Sequence, residues 1–134
     1  MLANDLDFYG QFDLVRGDNR SDNEDLPRIT PVRTKVGLRY SWRDRFLARL
    51  EAQFVASQNQ VAEFELPTDS YTQLNMFMEQ KLPEFKVFKS AVDLSLFVRG
   101  TNLTNEEARV HTSFIKDIAP LRGINFQFGV RASF

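Results

Sequence analysis

The sequence predicts an all-β fold in which six antiparallel strands follow one another as an up-and-down meander. Three observations lead to this prediction. Apolar and polar residues alternate with a period of two in six segments, which is the pattern of strands with two different faces. The connections between these segments alternate between short and long. No run of about 18 apolar residues, the length that a transmembrane helix needs, occurs in the chain.

The composition agrees with a two-faced sheet. The chain has 134 residues and 13 phenylalanines, and 13% of its residues are aromatic while 26% are charged. The formal net charge of −1 gives no basic surface, so nucleic acid is not an expected partner. Cysteine is absent, which excludes disulfides and thiolate metal sites. No nucleophile elbow, phosphate loop or zinc-protease motif occurs, and we expect neither enzymatic activity nor a bound cofactor.

The first two segments carry apolar residues at even positions and mostly polar residues between them. The apolar residues of the first segment are Leu6, Phe8, Phe12 and Leu14, and those of the second are Val36, Leu38, Tyr40 and Trp42. Each segment would present one apolar and one polar face as a strand.

The third segment, Phe46–Ala56, has an apolar residue at every even position. Its polar residues Arg49, Glu51 and Gln53 would scatter over most of the circumference of a helix, but they share one face of a strand. Because the second and third segments are both apolar at even positions, the loop between them should hold an odd number of residues. Residues 43–45 therefore predict a three-residue hairpin loop.

The last three segments follow the same rule. The fourth is the weakest, because Phe77 stands among the polar positions that separate Leu74, Met76 and Met78. The apolar residues of the fifth are Val92, Leu94, Leu96 and Val98, and those of the sixth are Ile124, Phe126, Phe128, Val130, Ala132 and Phe134. The sixth is the most regular, because only polar residues and one glycine lie between its apolar positions.

The lengths of the connections favour a membrane barrel. The short ones are residues 43–45 and 82–88, and the long ones are Gly17–Pro31, Ser57–Ser70 and Leu103–Arg122. Short turns on one side and long loops on the other are typical of bacterial outer-membrane barrels. Tyr40, Trp42 and Phe46 cluster at the short-turn end and Phe134 is expected at the same level, where such barrels carry an aromatic girdle.

The residue pattern alone leaves alternatives open. A soluble β-sandwich, for example a carbohydrate-binding module, also alternates apolar and polar residues, and a small structural outer-membrane protein is a third possibility. Six strands are too few for a closed membrane barrel, since these begin at about eight strands. The first residues lack the basic and apolar regions of a signal peptide. We therefore expect a fragment of a larger barrel whose other strands lie outside this chain.

Four stretches of the sequence resemble the barrel of TonB-dependent outer-membrane receptors. They are Leu26–Arg33 (an "LPRxPPxR"-like stretch), Arg99–Arg109 ("xGxNLxNxxAR"), His111–Gly123 and the closing strand that ends at Phe134. The third is similar to the last extracellular loop of a branch that includes zinc-uptake receptors. Two departures are Thr30, where a proline is common, and Leu121-Arg122-Gly123, where the family often has a Pro-Gly-Arg order.

The resemblance implies a barrel of about 22 strands, a plug domain and energy supplied by TonB. Residues 1–134 would be the C-terminal portion of that barrel, without the plug, in the outer membrane of a Gram-negative bacterium. Uptake of a metal ion or metal chelate would be the function, with zinc as one possible cargo. The implied partners are outer-membrane lipid, the remaining barrel strands, the TonB complex through the missing plug, and the barrel-assembly machinery. That machinery would read an assembly signal in the last strand, formed by Phe126, Phe128, Val130 and Phe134.

Two further sets of residues are candidates for function. Charged side chains expected to face the lumen, as wall residues and not as catalysts, are Arg39, Arg49, Glu51, Asp93, Arg99 and Arg131. His111 is the only histidine, and a neutral imidazole can bind zinc. Glu106, Glu107 and Asp117 could complete a weak site around it. The alternative is that His111 orders its loop.

Overall fold

Six long strands form one open antiparallel sheet whose order follows the chain. In the computed structural model, which describes residues 4–19, 24–87 and 90–133, they are β1 (Asn4–Asp13), β4 (Arg33–Trp42), β5 (Phe46–Val55), β6 (Tyr71–Lys81), β8 (Ser90–Thr101) and β9 (Asn125–Ser133). Two-residue strands β2 (Asp18–Asn19) and β3 (Glu24–Asp25) pair with each other, and β7 (Phe85–Val87) pairs with the start of β8. The predicted six-stranded meander is confirmed.

The pairing register places all even positions of the six long strands on one face. Leu38 lies opposite Leu50, Leu50 opposite Met76, and Val98 opposite Phe128. Because side chains alternate along a strand and every pair between these strands joins two residues of equal parity, the sheet has an even face and an odd face. The even face is the apolar one that the sequence predicts.

Nothing in the described part of the chain covers the even face. Phe8 is 72% exposed, Leu50 44% and Phe128 79%. Among the described residues, the buried apolar side chains are those of Pro31, Val55, Tyr71 and Ala108. A β-sandwich requires a second sheet packed on this face, whereas the second sheet among the described residues is only the β2–β3 ribbon. The sandwich alternative is therefore not supported.

The turn between β4 and β5 has the predicted three residues. Arg45 donates its N–H to the carbonyl of Trp42 (3.0 Å), and Arg43 and Asp44 both have positive φ angles of 48° and 52°. Two residues with left-handed backbone conformation let the chain reverse within three residues. A three-residue turn pairs even positions of β4 with even positions of β5. The three long connections leave the opposite end of the sheet, as predicted.

The link after β6 is partly strand and not the predicted loop of residues 82–88. Leu82 donates to a carbonyl of β8 (2.8 Å), and pairing resumes with Phe85 opposite Val92. Pro83 and Glu84 thus lie opposite one residue of β8, which is a β-bulge. Proline fits a bulge because its missing N–H is not needed for the ladder there.

On the odd face, two aromatic rings cover glycines of neighbouring strands. Tyr9 lies directly opposite Gly37, and Phe97 directly opposite Gly129. A Cβ atom at either glycine would approach the ring to 2.3 Å, so the absence of a side chain makes room for each ring. The Tyr9 hydroxyl passes over Gly37 and donates a hydrogen bond to Glu51 Oε2 (3.0 Å).

Replacing Gly37 by alanine should destabilise the sheet by about 1–3 kcal/mol, the usual cost of overpacking. The methyl group would displace the Tyr9 ring and break its bond to Glu51. Gly10→Ala is the matched control, because a Cβ at Gly10 meets only a carbonyl oxygen at 3.8 Å. Equilibrium urea titration of the chain folded in a neutral detergent, followed by tryptophan fluorescence, measures both. A loss of the same size in the two variants would show that the Tyr9 contact has no special role.

Candidate functional site

Two of the three long connections meet in a polar cluster beyond one end of the sheet, and the remaining one contacts it. We name it the loop cluster and define it as Glu65, Thr68, His111 and Lys116. Glu65 and Thr68 belong to the connection between β5 and β6, and the other two residues belong to that between β8 and β9. Thr68 is fixed by a backbone bridge to Gln58, with N···O distances of 2.9 and 3.1 Å. The cluster thus rests on ordered backbone.

Lys116 provides the centre of the loop cluster. Lys116 is only 5% exposed. The ammonium nitrogen Nζ lies 2.6 Å from the carbonyl oxygen of Leu66, 3.1 Å from Glu65 Oε1 and 3.3 Å from His111 Nδ1. These three acceptors match the three N–H groups of an ammonium. A buried charge of this kind is tolerated because it is both paired and hydrogen-bonded.

His111 is 2% exposed. Its Nδ1 atom lies 2.9 Å from the Thr68 hydroxyl, and its Nε2 atom lies 3.3 Å from Glu65 Oε1 without the alignment of a hydrogen bond. Burial lowers the pKa of His111 and the Lys116 ammonium lowers it further, against an opposing effect of Glu65. Because Nδ1 accepts from Lys116, we assign the neutral tautomer with its proton on Nε2.

Glu65 connects the second long connection to the first. Both of its carboxylate oxygens lie 3.2 Å from the backbone N–H of Arg28. Burial raises the pKa of Glu65, but the hydrogen bonds from Lys116 and from the Arg28 backbone, together with nearby positive charge, lower it by more. The Arg28 guanidinium lies 3.5 Å from the ring centroid of Phe114 in the third connection. All three long connections are therefore linked by direct contacts.

A second polar centre closes the base of the third connection. Asn102 is 2% exposed, and its Nδ2 group donates to the carbonyls of Glu106 (2.8 Å) and Arg122 (3.0 Å). Its Oδ1 atom accepts from the Glu106 N–H (2.9 Å). Asn105 Oδ1 accepts from the N–H of Ile124 (3.1 Å). The Arg99–Arg109 motif thus has a local structural role, since its asparagines hold the two ends of this loop together.

The geometry around His111 does not favour a metal site. Within the described ranges, no three His, Asp, Glu or Cys side chains come together as metal ligands. Glu106, Glu107 and Asp117 therefore form no ligand group with His111. The nearby Lys116 ammonium also opposes a cation at Nδ1. The contacts of His111 agree with the alternative that it orders its loop.

The six charged residues proposed as wall residues all lie at odd positions of the long strands, on the odd face. Arg131 pairs with Glu79 (3.4 Å), which also accepts from Ser95 (2.8 Å). Arg49 and Arg99 lie on either side of Phe77, each with its guanidinium carbon 5.8 Å from the ring centroid. Of the other three, Arg39 lies opposite Arg49, Glu51 opposite Gly37, and Asp93 opposite Ser133.

The proposed assembly-signal residues lie on β9, an edge strand of the sheet. Phe126 is 48% exposed, Phe128 79% and Val130 64%, all on the even face. Phe134 lies outside the described residues. Their role in assembly stays a prediction.

Sequence reasoning missed Glu65, Thr68 and Lys116, because loop residues carry no periodicity that would relate them to one another. The roles of Tyr9 and Phe77 could have been found. Once the parity of the strands is known, an aromatic residue on the polar face opposite a glycine, or between two arginines, indicates a specific contact.

No protein-family model matches the sequence, so the family resemblance depends on the four stretches that carry it. Among the described residues, no helix is long and apolar enough to cross a membrane.

Lys116→Met should loosen the loop cluster strongly, because it leaves the Glu65 carboxylate without its main partner. Breaking a buried ion pair on one side costs about 3–5 kcal/mol. The double variant Glu65→Gln/Lys116→Met should lose less than the sum of the two single variants, since it removes both charges. A double-mutant cycle, measured by urea titration of the chain folded in a neutral detergent, gives the coupling energy. Additive losses would mean that the pair contributes nothing beyond its separate side chains.

The loop cluster should weaken as the pH falls. His111 has a pKa below its ordinary value of 6.5, so opened loops bind a proton that the closed cluster resists, and stability drops below about pH 6.5. Glu65 has a pKa below its ordinary value of 4.5, so its contribution is present above that value and is lost as pH falls through the folded pKa. Limited proteolysis within residues 110–118 should become faster as the pH is lowered from about 7.5 to about 5.5.

His111→Gln is the control for this pH effect, because glutamine does not titrate. Cleavage of this variant should change much less over the same range. A pH response as large as that of the unmodified protein would exclude His111 as its source.

Proposed function

We propose that this chain forms the C-terminal part of the barrel of a TonB-dependent receptor, which takes up a metal ion or metal chelate through the outer membrane of a Gram-negative bacterium. The observation that carries the proposal is the exposed even face. It extends over all six long strands, from Phe8 at 72% exposure on β1 to Phe128 at 79% exposure on β9. Hydrocarbon is the solvent that fits such a face.

A soluble protein has no physical reason to keep this face uncovered. Exposed apolar patches on soluble monomers rarely exceed a few hundred Å², whereas here every long strand contributes exposed apolar side chains. Burial is worth about 25 cal/mol per Å² of apolar surface removed from water. Lipid removes the even face from water without requiring a second protein layer.

The open edges of the sheet support a larger barrel. β1 pairs only with β4, and β9 only with β8, so each leaves a row of backbone groups without strand partners among the described residues. In a bilayer, each unsatisfied group costs several kcal/mol. Further strands must therefore pair with both edges, and closure into a larger barrel satisfies all of these groups at once.

The two faces and the two ends then have distinct roles. The odd face carries Arg39, Arg49 and Glu51 and would form the wet wall of the lumen, against which a plug could pack. The end with the loop cluster would lie outside the cell, and the short-turn end with Tyr40 and Trp42 would lie at the periplasmic interface. Aromatic residues that are partly exposed, as Tyr40 (38%) and Trp42 (39%) are, suit that level.

The resemblance supplies the more specific part of the proposal. Its motif residues Asn102 and Asn105 make the contacts that close the third loop, which gives the motif a physical reason in a barrel with long external loops. Transport of zinc or of another metal, the plug, TonB and the barrel-assembly machinery follow from the resemblance.

Arginine should be rejected on the even face and accepted on the odd face. Leu50 lies near the middle of β5 on the even face, and an arginine at the bilayer midplane costs about 2–4 kcal/mol. Leu50→Arg should therefore reduce the yield of membrane-inserted protein strongly. Gln53→Arg should be tolerated, because Gln53 lies on the odd face, where a guanidinium stays hydrated, and repulsion from Lys35 directly opposite costs at most about 1 kcal/mol.

The measurement is the fraction of each variant that partitions into lipid vesicles and resists extraction by urea or carbonate. Equal yields for the two variants would contradict the assignment of the even face to lipid. A chain that is monomeric and folded in plain buffer would contradict the membrane proposal as a whole.

A further inference from the structure

Three arginines of the odd face lie on one line across the sheet. Arg39 on β4 is directly opposite Arg49 on β5, Arg49 is opposite Phe77 on β6, and Phe77 is opposite Arg99 on β8. We name Arg39, Arg49 and Arg99 the arginine row. Adjacent strands lie about 4.8 Å apart, so the row places three guanidinium groups within four neighbouring strands.

The arginine row differs from the other cations of this face. Arg33 pairs with Asp13 (3.4 Å), Lys35 with Glu51 (4.0 Å), and Arg131 with Glu79 (3.4 Å). Over residues 4–19, 24–87 and 90–133, no carboxylate lies within 4.0 Å of a guanidinium of the row. All three arginines are exposed. Carboxylates thus neutralise Arg33, Lys35 and Arg131, whereas the three arginines of the row, like Lys81 at the short-turn end of β6, have no such pair among the described residues.

The nearest acidic positions do not compensate the row. Asp7 is opposite Arg39 in the register, yet the two side chains make no ion pair. Glu51, two residues from Arg49, is occupied by the Tyr9 hydroxyl (3.0 Å) and by Lys35 (4.0 Å). Like charges directly opposite each other in a sheet are destabilising. The Arg39–Arg49 pair is therefore unfavourable, Asp7 relieves it without a direct ion pair, and a bound anion would stabilise it further.

Phe77 holds two members of the row in place. The guanidinium carbons of Arg49 and Arg99 each lie 5.8 Å from its ring centroid, within the range of a cation–π interaction. The ring of Phe97 stacks beside Phe77 at 6.2 Å between centroids. A cavity of about 230 Å³ is lined by Arg49, Phe77 and Arg99, and also by Glu51 and Asn75, whereas Arg39 and Phe97 lie outside its lining. The site is therefore an aromatic floor with a guanidinium on either side.

We propose that Arg49 and Arg99, the two members of the arginine row that flank Phe77, bind a small planar polycarboxylate, with one carboxylate paired to each guanidinium group and the apolar body of the ligand on Phe77. Guanidinium forks bind carboxylates in a bidentate manner, and the aromatic floor accepts a flat ring. The inference rests on the proposed function for its location, since there the odd face lines the lumen and the row becomes an anion-binding step along the transport path.

The probe is trimesate, a benzene ring with three carboxylates, titrated calorimetrically into the full chain folded in a neutral detergent. Far-UV circular dichroism establishes that each sample has its sheet. Trimesate should bind saturably at low salt, and benzoate, with one carboxylate, should bind at least about tenfold more weakly, because it engages one guanidinium only. No saturable trimesate binding to the folded chain would overturn the proposal.

Three variants locate the site. Arg49→Gln and Arg99→Gln should each weaken trimesate binding about tenfold or more. Arg131→Gln should leave binding unchanged, because Arg131 lies outside the row and pairs with Glu79. Equal weakening by Arg131→Gln would show diffuse charge attraction and would overturn the proposal. If one of the two row variants fails to fold, the other decides.

Arg49→Lys separates a built site from a positive patch. Lysine keeps the charge but lacks the planar fork, so this variant should weaken binding severalfold, and full affinity would overturn the proposal. Trimesate binding and insertion into lipid vesicles are separate measurements, so each proposal can fail without the other. A chain that enters vesicles through its even face but binds no trimesate would overturn this inference and leave the membrane proposal intact. A chain that binds trimesate but does not enter vesicles would overturn the membrane proposal and leave the anion site intact.

Discussion

The whole structure depends on the parity of the cross-strand register. Each of the five pairings in the six-stranded sheet joins residues of equal parity, so the apolar residues of all long strands stay on one face. A slip of one residue at any pairing would move every later apolar side chain to the polar face. The three-residue turn after Trp42 preserves this parity. The bulge at Pro83 places one extra residue in the short hairpin arm beyond Lys81, where the main sheet pairing has already ended.

The two faces solve opposite problems. The even face consists mainly of apolar side chains that need an apolar solvent, and Gln80, which donates hydrogen bonds to the carbonyls of Arg45 and Lys81, lies at its short-turn end. The odd face must instead arrange charge and fill the space above its glycines, which it does with Tyr9 over Gly37 and Phe97 over Gly129. The Tyr9–Glu51 bond joins β1 to β5 across β4. Directional interactions within the sheet are thereby concentrated on the side where water, and not lipid, would compete with them.

The sequence predicts the parts of the fold that depend on periodicity. The even apolar set, the turn at residues 43–45 and the sorting of loops all follow from alternation and parity. Phe77 weakened the prediction for its segment, because an apolar residue on a polar face breaks the pattern, and its contacts with Arg49 and Arg99 supply the reason for it. Lys116, Glu65 and His111 could not be related to one another, since Glu65 and Lys116 are 51 positions apart in the sequence and loops carry no period. Their meeting is a consequence of the meander, which brings every second connection to the same end.

A sheet whose buried apolar side chains, among its described residues, are Val55 and Tyr71 cannot be stabilised in water by its own core. Ordering the backbone costs about 1–2 kcal/mol per residue, and hydrophobic burial is the main term that offsets it. Here the apolar surface that could supply this term still faces outward at the even positions. The free energy that holds the strands together must therefore come from whatever removes that face from water and pairs the two open edges. This requirement constrains the surroundings of the chain more strongly than any single side chain does. An environment that covers the even face but leaves β1 and β9 unpaired would leave backbone hydrogen bonds unmade. An environment that pairs the two edges in water would leave the apolar face exposed to water.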